Sequence, residues 1–390
     1  MMADNVISLN SWKSRLSEGD RGIKKTVSNL MIFLRHHPRL GDNIRWNELA
    51  YRVEFNGKPM EDTDLIDIRL MMEEHRFEPR VQDLLPAIQR FARENSYHPA
   101  RQFLEGLKWD GKPRLDQWLQ RALGAEDTPF NRIVGRRTLI AACARAYRPG
   151  CKVDTVLVIE GPQGLKKSTA IAELFGRDLT KESVSLFDQH NKMVMAMMGA
   201  WCVELAEFVA FFRKDNASVK GLISMQTDKV VLPYAKIASE HPRQCIFFGT
   251  INPDDMGYLT DATGNRRYWI VRATRIDTET IRLHREQIWA EAVTAFKAGE
   301  RWWLEGEEEE LATIQAAARE ESHPWDELLA DKMTGQTQVT IVEALRAIGV
   351  PTDRMDKKAQ NQAASSLRKC GFVLKFPKIN GKTVRKWMRE

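Results

Sequence analysis

An α/β fold built around a parallel sheet flanked by helices is the class this sequence predicts, and three observations predict it. The stretch VDTVLVIEG at 153–161 is a near-continuous apolar run that enters glycine, as a parallel strand covered on both faces should. Further apolar runs follow at 200–205 (AWCVEL), 245–249 (CIFFG) and 268–272 (YWIVR), and helical stretches separate the earlier ones. The glycine-rich turn after the first run leads directly into a helical segment, STAIAELFG. The sheet domain is expected over 151–275, in a chain of 390 residues that is long enough for two or three domains.

In chain order, residues 1–20 are polar and without period, which predicts a disordered tail. The run 23–36 has the spacing of an amphipathic helix. Residues 44–56 alternate and stop at Gly57-Lys58-Pro59, which predicts a small hairpin. Thr63 is placed to cap a helix over 64–76, and 80–94 reads as another, so 21–96 is expected to be a small α+β domain without a catalytic constellation. Residues 97–150 form a helical linker, broken at Trp109-Asp110-Gly111 and helical again over 129–147.

Beyond the sheet, 276–324 is helical and acidic, with Glu307–Glu310 as a solvated helix start that the helix dipole favours. His323-Pro324-Trp325 marks a boundary. Residues 325–390 run helix, turn, helix and then a basic hairpin turning at Asn380-Gly381, which is a winged-helix pattern. Trp289, Trp302 and Trp303, at helical spacing or paired, read as core.

Composition removes several classes. Hydrophobic residues at 43% and charged residues at 29% describe a soluble globular protein. No apolar run approaches the roughly 18 residues a membrane helix needs, and the first twenty residues lack the apolar segment of a secretory signal. Five scattered cysteines form no CxxC, so neither a disulfide framework nor a structural zinc site is expected, and a reducing cytoplasm fits. The net charge of +6 hides an asymmetry. From Lys332 to Glu390 there are 13 Lys/Arg against 4 Asp/Glu, whereas the preceding residues carry 46 against 49. Both a nucleic-acid partner and a solvated basic tail fit a terminal excess of nine positive charges.

The strongest motif is Gly161-Pro162-Gln163-Gly164-Leu165-Lys166-Lys167-Ser168, followed by Thr169. It matches the phosphate-loop template GxxxxGK[ST] between a buried strand and a helix, except that Lys166 stands where the second glycine belongs. In such a loop, backbone N–H groups wrap the phosphates of ATP, Lys167 neutralises β/γ charge and Ser168 ligates Mg²⁺. Lys166 must either take up the loop geometry at a cost or loosen it.

Trp201-Cys-Val-Glu-Leu-Ala-Glu207 ends an apolar strand in acids. Glu204 is assigned to the metal and Glu207 to the base, and the two roles are exchangeable. Phe247-Phe-Gly-Thr-Ile-Asn252 ends another strand in an amide that would orient water beside the γ-phosphate. Arg266 and Arg267, before a strand, suit an arginine finger acting across a subunit interface; two surface arginines fit the same residues. The stretch 229–241 reads as a hairpin whose tip carries Tyr234 and Lys236, suited to a nucleic-acid backbone or to no ligand at all.

HPARQFLEGLKWDGKPRLDQWL (98–119), ARAYRPGCKVDTVLVIEGPQGLKKST (144–169), WCVELAEF (201–208), PRQCIFFGTIN (242–252) and DATGNRRYWIV (261–271) together resemble the virulence-associated protein E family of phage, prophage and mobile elements, with WAEA (289–292) and GERWWL (299–304) fitting as well. That family is similar to superfamily 3 replicative helicases. The resemblance implies an AAA+-like core with a helical lid, ATP and Mg²⁺ as cofactors, and a homo-oligomer, a hexameric ring, in a bacterial host cell. By motif position it implies Walker A roles for Lys167 and Ser168, Walker B roles for Glu204 and Glu207, and sensor 1 for Asn252. Arg266 and Arg267 fall in the finger region, and Lys236 on the pore hairpin would track single-stranded DNA. No primase-like acidic motif occurs in the first 150 residues.

The function expected is a DNA-dependent ATPase, a replicative helicase, with other replication proteins as partners and no membrane. The alternatives are a nucleotide-regulated DNA-binding module with weak or no hydrolysis and, less well matched, a small-molecule phosphate-loop kinase. Lys375, Lys378, Lys382, Arg385 and Lys386 of the basic hairpin would hold duplex DNA through its phosphates. Deleting 325–390 is therefore expected to remove most salt-sensitive duplex binding and to leave nucleotide binding intact. Salt titrations of duplex affinity for the two proteins check this, and unchanged affinity in the truncated protein counts against it.

Overall fold

The computed structural model describes residues 11–20, 22–182, 184, 190–205, 216–231, 237–252, 265–317, 319, 323–376, 378–379, 382–383 and 385–389. The N-terminal unit packs helices Val27–His36, Asp62–Glu73 and Val81–Ala92 on a small sheet centred on Ile44–Asn47 antiparallel to Arg52–Phe55. The middle helix starts ahead of Thr63, because Asp64 accepts the Glu61 N–H at 2.7 Å. The polar stretch before Val27 hides a core residue. Trp12 is buried edge-on against Phe33, ring centroids 5.1 Å apart. Asn29 ties Ser17 and Lys24 to the helix, donating to both carbonyls at 2.8 Å. A single tryptophan and a single asparagine carry no period, so the sequence did not show that 11–20 is packed.

The central sheet has five parallel strands: β1 (Val156–Glu160), β2 (Thr180–Lys181), β3 (Cys202–Leu205), β4 (Ile246–Ile251) and β5 (Tyr268–Arg272), in spatial order β5-β1-β4-β3-β2. Alternate residues serve opposite faces. Leu157, Ile159, Phe248 and Trp269 join one hydrophobic cluster; Val156, Val158, Phe247 and Ile270 join the other. Burial on both sides is why these strands read as continuous apolar runs. The edge strand β2 is two residues long and carries no such signal.

Helices α1 (Pro129–Tyr147), α2 (Lys167–Phe175) and α3 (Thr278–Lys297) cover the first face. The linker helices and α3 thus share one core with the sheet, although α3 belongs to the segment that the resemblance assigns to a lid. Trp201 and Trp289 meet at 4.3 Å in this core. Their indole N–H groups donate to Ala142 O at 2.9 Å and Leu174 O at 2.7 Å. Helix α4 (Glu307–Ala317) contacts β5 and the Asn265–Arg267 turn. Trp302 is half-buried and packs against this core, whereas Trp303 is 45% exposed and is not a core residue.

Strands Thr227–Val230 and Ser239–Pro242 pair antiparallel with Val230 opposite Ser239; the hairpin tip with Tyr234 and Lys236 lies outside the described residues. The base of this hairpin is joined to the N-terminal unit. Gln244 Nε2 donates to Glu48 O at 2.8 Å and to the Tyr51 hydroxyl at 2.9 Å, and that hydroxyl donates to Pro242 O at 3.1 Å. His98 Nδ1 accepts the Arg101 N–H, so His98 Nε2 carries the proton it shares with Gln244 Oε1 at 2.7 Å. Burial, assisted by Arg101, lowers the His98 pKa to about 4 and keeps the ring neutral. Tyr51 holds a left-handed backbone, φ 52°, to reach this seam.

The C-terminal unit has its own core, including Leu329, Leu345, Leu367, Phe372 and Trp387. Helices Pro324–Lys332, Ile341–Ala347 and Lys357–Lys369 pack with a three-stranded antiparallel sheet in the order Gln338–Val339, Lys386–Arg389, Phe372–Lys375. Lys378–Ile379 pairs with Lys382–Thr383, and the Asn380-Gly381 turn between them lies outside the described residues. Lys375 and Arg385 are exposed, with the Arg385 guanidinium 5.8 Å from the Phe376 ring centre, and Lys386 Nζ lies 3.2 Å from Gln338 Oε1. Among the described residues no helix is long and apolar enough to cross a membrane.

Candidate active site

The carboxyl ends of β1, β3 and β4 bring three of the sequence motifs together. From β1 the chain turns at Gly161, whose N–H donates to Ile251 O at 3.0 Å. A Cβ at Gly161 would stand 2.9 Å from Ala273 O and from Leu165 Cδ2, so no larger residue fits without displacing backbone. Pro162, Gln163 and Gly164 are exposed and Leu165 is half-buried; Gly164 has φ +81°. Lys166 then takes the left-handed conformation itself, φ 68° and ψ 33°, and directs an exposed side chain away from the protein as the N-cap of α2. The loop geometry is kept, at a conformational cost of about 1 kcal/mol that glycine would not incur. The first amides of α2 have no intrahelical acceptor, and with the positive end of the helix they suit an anion.

Lys167 is buried and turned onto its own loop. Its Nζ donates to Gly161 O at 2.5 Å, Pro162 O at 3.0 Å and Asn252 Oδ1 at 3.1 Å. Burial lowers its pKa, against the opposing pull of Glu204. Glu204, at the end of β3, has no exposed surface. Its Oε1 accepts from the Ser168 hydroxyl at 2.7 Å and the Thr250 hydroxyl at 3.0 Å, while its buried Oε2 has no hydrogen-bond partner among the described residues. Burial raises the Glu204 pKa; the two hydroxyls oppose that shift and nearby Glu182 adds to it. Thr169 is half-buried in the first turn of α2.

Ser168, Lys167, Glu204 and Asn252 thus form one connected cluster, whereas Glu207 lies outside the described residues. The hard oxygens of Ser168 and Glu204, with Oε2 lacking a partner, fit a Mg²⁺ ion completed by other oxygen donors. Among the described residues no group of three or more His, Cys, Asp or Glu side chains could hold a metal by itself.

The arginines are elsewhere. In the register Tyr268 lies opposite Val156 and Arg272 opposite Glu160, so Arg266 and Arg267 sit at the amino end of the sheet. At about 3.3 Å per residue, that is roughly 15 Å from the loop of the same chain. Arg266 is 61% exposed and 3.7 Å from Glu309; Arg267 is mostly covered and 3.9 Å from Asp154.

Two contacts escaped the sequence. Thr250, a polar residue inside an apolar strand two positions before Asn252, offered a signal for its role against Glu204. Arg319 offered none, yet its Nε donates to Glu160 Oε2 at 2.8 Å and ties the segment after α4 to the residue preceding Gly161.

Fold and cluster define an α/β protein with an acid–hydroxyl–lysine site at the carboxyl edge of a parallel sheet. The chain belongs to the virulence-associated protein E-like family, whose domain description matches residues 104–321. No curated protein matches it. Among solved structures, two A-form apo structures of the NrS-1 C-terminal region align at 11% identity over 89% of this chain and 96% of that chain, with TM-scores of 0.45 and 0.43. A further apo structure of that region aligns at 14% identity over 74% and 78%, with a TM-score of 0.40.

The raised Glu204 pKa fixes a sign. The native state favours the protonated carboxyl, so its contribution to stability is full below the ordinary carboxylate pKa and is lost as pH rises through the raised value. Glu204→Gln is expected to raise the denaturation midpoint of the ligand-free protein at pH 7 and to converge with wild type toward pH 4. Denaturant titrations across that range check it, and a lower midpoint for the variant at pH 7 is the contrary result.

Proposed function

We propose that this chain is a DNA-dependent ATPase of the superfamily 3 helicase type, acting as a homo-oligomeric ring in the replication of phage or mobile-element DNA. The observation that carries the reading is the 2.7 Å contact between Ser168 and Glu204. It joins the last position of the phosphate-loop motif to a strand-end acid whose second oxygen lacks a partner among the described residues. The strand order supports it too. From β1 the chain runs to one edge, returns through β3 and β4, and then crosses to β5 on the other side, and ligands of open α/β sheets bind in the crevice at such a reversal.

In this reading ATP lies along residues 161–169, its phosphates on the α2 amides. Lys167 exchanges the carbonyls of Gly161 and Pro162 for phosphate oxygens. Ser168 and Glu204 hold Mg²⁺, which supplies neutralisation of phosphate charge. Asn252, already bonded to Lys167, orients the attacking water, and Glu207 takes its proton. Arg266 or Arg267 reaches the nucleotide of a neighbouring subunit, which agrees with their distance from the loop of their own chain. The 227–242 hairpin, with Tyr234 and Lys236 at its tip, follows single-stranded DNA. The C-terminal unit acts as a winged helix, with Lys375, Lys378, Lys382, Arg385 and Lys386 on duplex phosphates.

ATP turnover measured with and without single-stranded DNA tests the proposal. Stimulation by DNA is expected, with a loss of about 10²–10³-fold in Lys167→Ala, the usual effect of removing one transition-state charge stabiliser. Absence of both effects refutes it. The left-handed Lys166 favours a second reading, in which nucleotide binding controls assembly with little hydrolysis. A wild-type protein that binds ATP without turnover, together with a large gain in Lys166→Gly, selects that reading.

A further inference from the structure

At the amino end of the sheet, remote from the loop, lies a cavity of about 350 Å³ lined in part by Lys152, Arg266, Arg267, Trp269, Trp302 and Trp303. The volume falls at the small end of ligand pockets, which run from about 300 to 1,000 Å³. Two indoles at its rim are held rigidly. Trp302 Nε1 donates to Lys152 O at 2.9 Å and Trp303 Nε1 to Glu305 Oε1 at 2.6 Å, and the rings meet edge-on at 5.2 Å. Trp303 is nonetheless 45% exposed, an uncommon position for so large an apolar ring.

Two donors of lining residues are buried without a partner among the described residues. They are the indole N–H of Trp269, a residue 1% exposed, and the Arg267 Nε–H, from which Asp154 stands 3.9 Å away, beyond hydrogen-bond range. Buried donors of this kind are rare in native structures, and the Arg267 side chain as a whole stays 23% exposed beside the cavity. Among the charged side chains lining the cavity, Lys152, Arg266 and Arg267 face Asp154 and Glu309, a surplus of one positive charge. A planar ring for Trp303 and a phosphate for the positive surplus of Lys152, Arg266 and Arg267 together describe a nucleotide unit.

We propose that this cavity is a second nucleotide-unit site, which stacks one base on Trp303 and holds its phosphate with Arg267 and Lys152. The unit is either a free mononucleotide or one residue of a single DNA strand. Both adjacent arginines line the cavity, Arg267 as the more covered of the two and Arg266, 61% exposed, as the more open. The proposal does not depend on ATP hydrolysis at the loop, and either can fail without the other.

The test uses the full chain carrying Lys167→Ala, so that the loop contributes little, and titrates it calorimetrically with dTMP and with the oligonucleotide (dT)8. Saturable binding of one equivalent per chain is expected. Trp303→Ala and Arg267→Gln should each weaken it at least roughly tenfold, the loss that corresponds to about 1.4 kcal/mol of stacking or charge pairing. Trp303→Phe, which keeps a ring and guards against misfolding, should retain most of the affinity. Binding of dTMP identifies a free mononucleotide as a sufficient ligand, and binding of (dT)8 alone identifies a strand. No saturable binding of either probe, or binding that survives both Trp303→Ala and Arg267→Gln, overturns the proposal.

Discussion

Glu204 ends a strand that is covered on both faces, and a carboxylate placed there loses its water. Two hydroxyls approach one of its oxygens, from Ser168 at the start of α2 and Thr250 near the end of β4, and the other has no hydrogen-bond partner among the described residues. A carboxylate with one bonded and one bare buried oxygen is costly unless a cation joins it. Lys167 could serve as that cation, but it is drawn instead to the loop carbonyls and Asn252. The two opposite charges are therefore held apart in a region poor in water. Hydroxyl, acid, lysine and amide all depend on the same buried strand ends for their positions.

The sheet also gives the molecule two unlike ends. The carboxyl end gathers Lys167, Ser168, Glu204 and Asn252; the amino end gathers Arg266, Arg267 and the tryptophan-lined cavity. Helix α4 bridges them, contacting β5 and the arginine turn, and Arg319 just after it pairs with Glu160 beside the loop.

How much of this could be read from the chain follows from what leaves a pattern. Strands β1, β3, β4 and β5 were legible because burial on both faces demands unbroken apolar runs, and the loop was legible because Gly161, Lys167 and Ser168 stand at fixed offsets. The two-residue β2 is too short for any period. Trp12, Thr250 and Arg319 act singly, through contacts with residues far away in sequence, so spacing said nothing of their partners. Trp303 misled for a related reason. Aromatic residues are most often core, and the pair divides: Trp302 packs partly buried against the core while Trp303 stays 45% exposed with its indole N–H held by Glu305. Lys166 departed from the motif at the level of residue type but not of backbone, since a left-handed lysine traces the path a glycine would.

The seam around Gln244 bears on where this chain can be cut. Its side-chain amide binds Glu48 and Tyr51 on one side and His98 on the other, and Tyr51 closes on Pro242. A fragment beginning where the family match begins, at residue 104, would discard Glu48, Tyr51 and His98 together. It would leave the Gln244 amide to water and strip the base of the 227–242 hairpin of these contacts. The N-terminal unit is therefore a brace for the hairpin rather than an appendage, and the smallest piece that retains the native environment of that hairpin starts before Glu48.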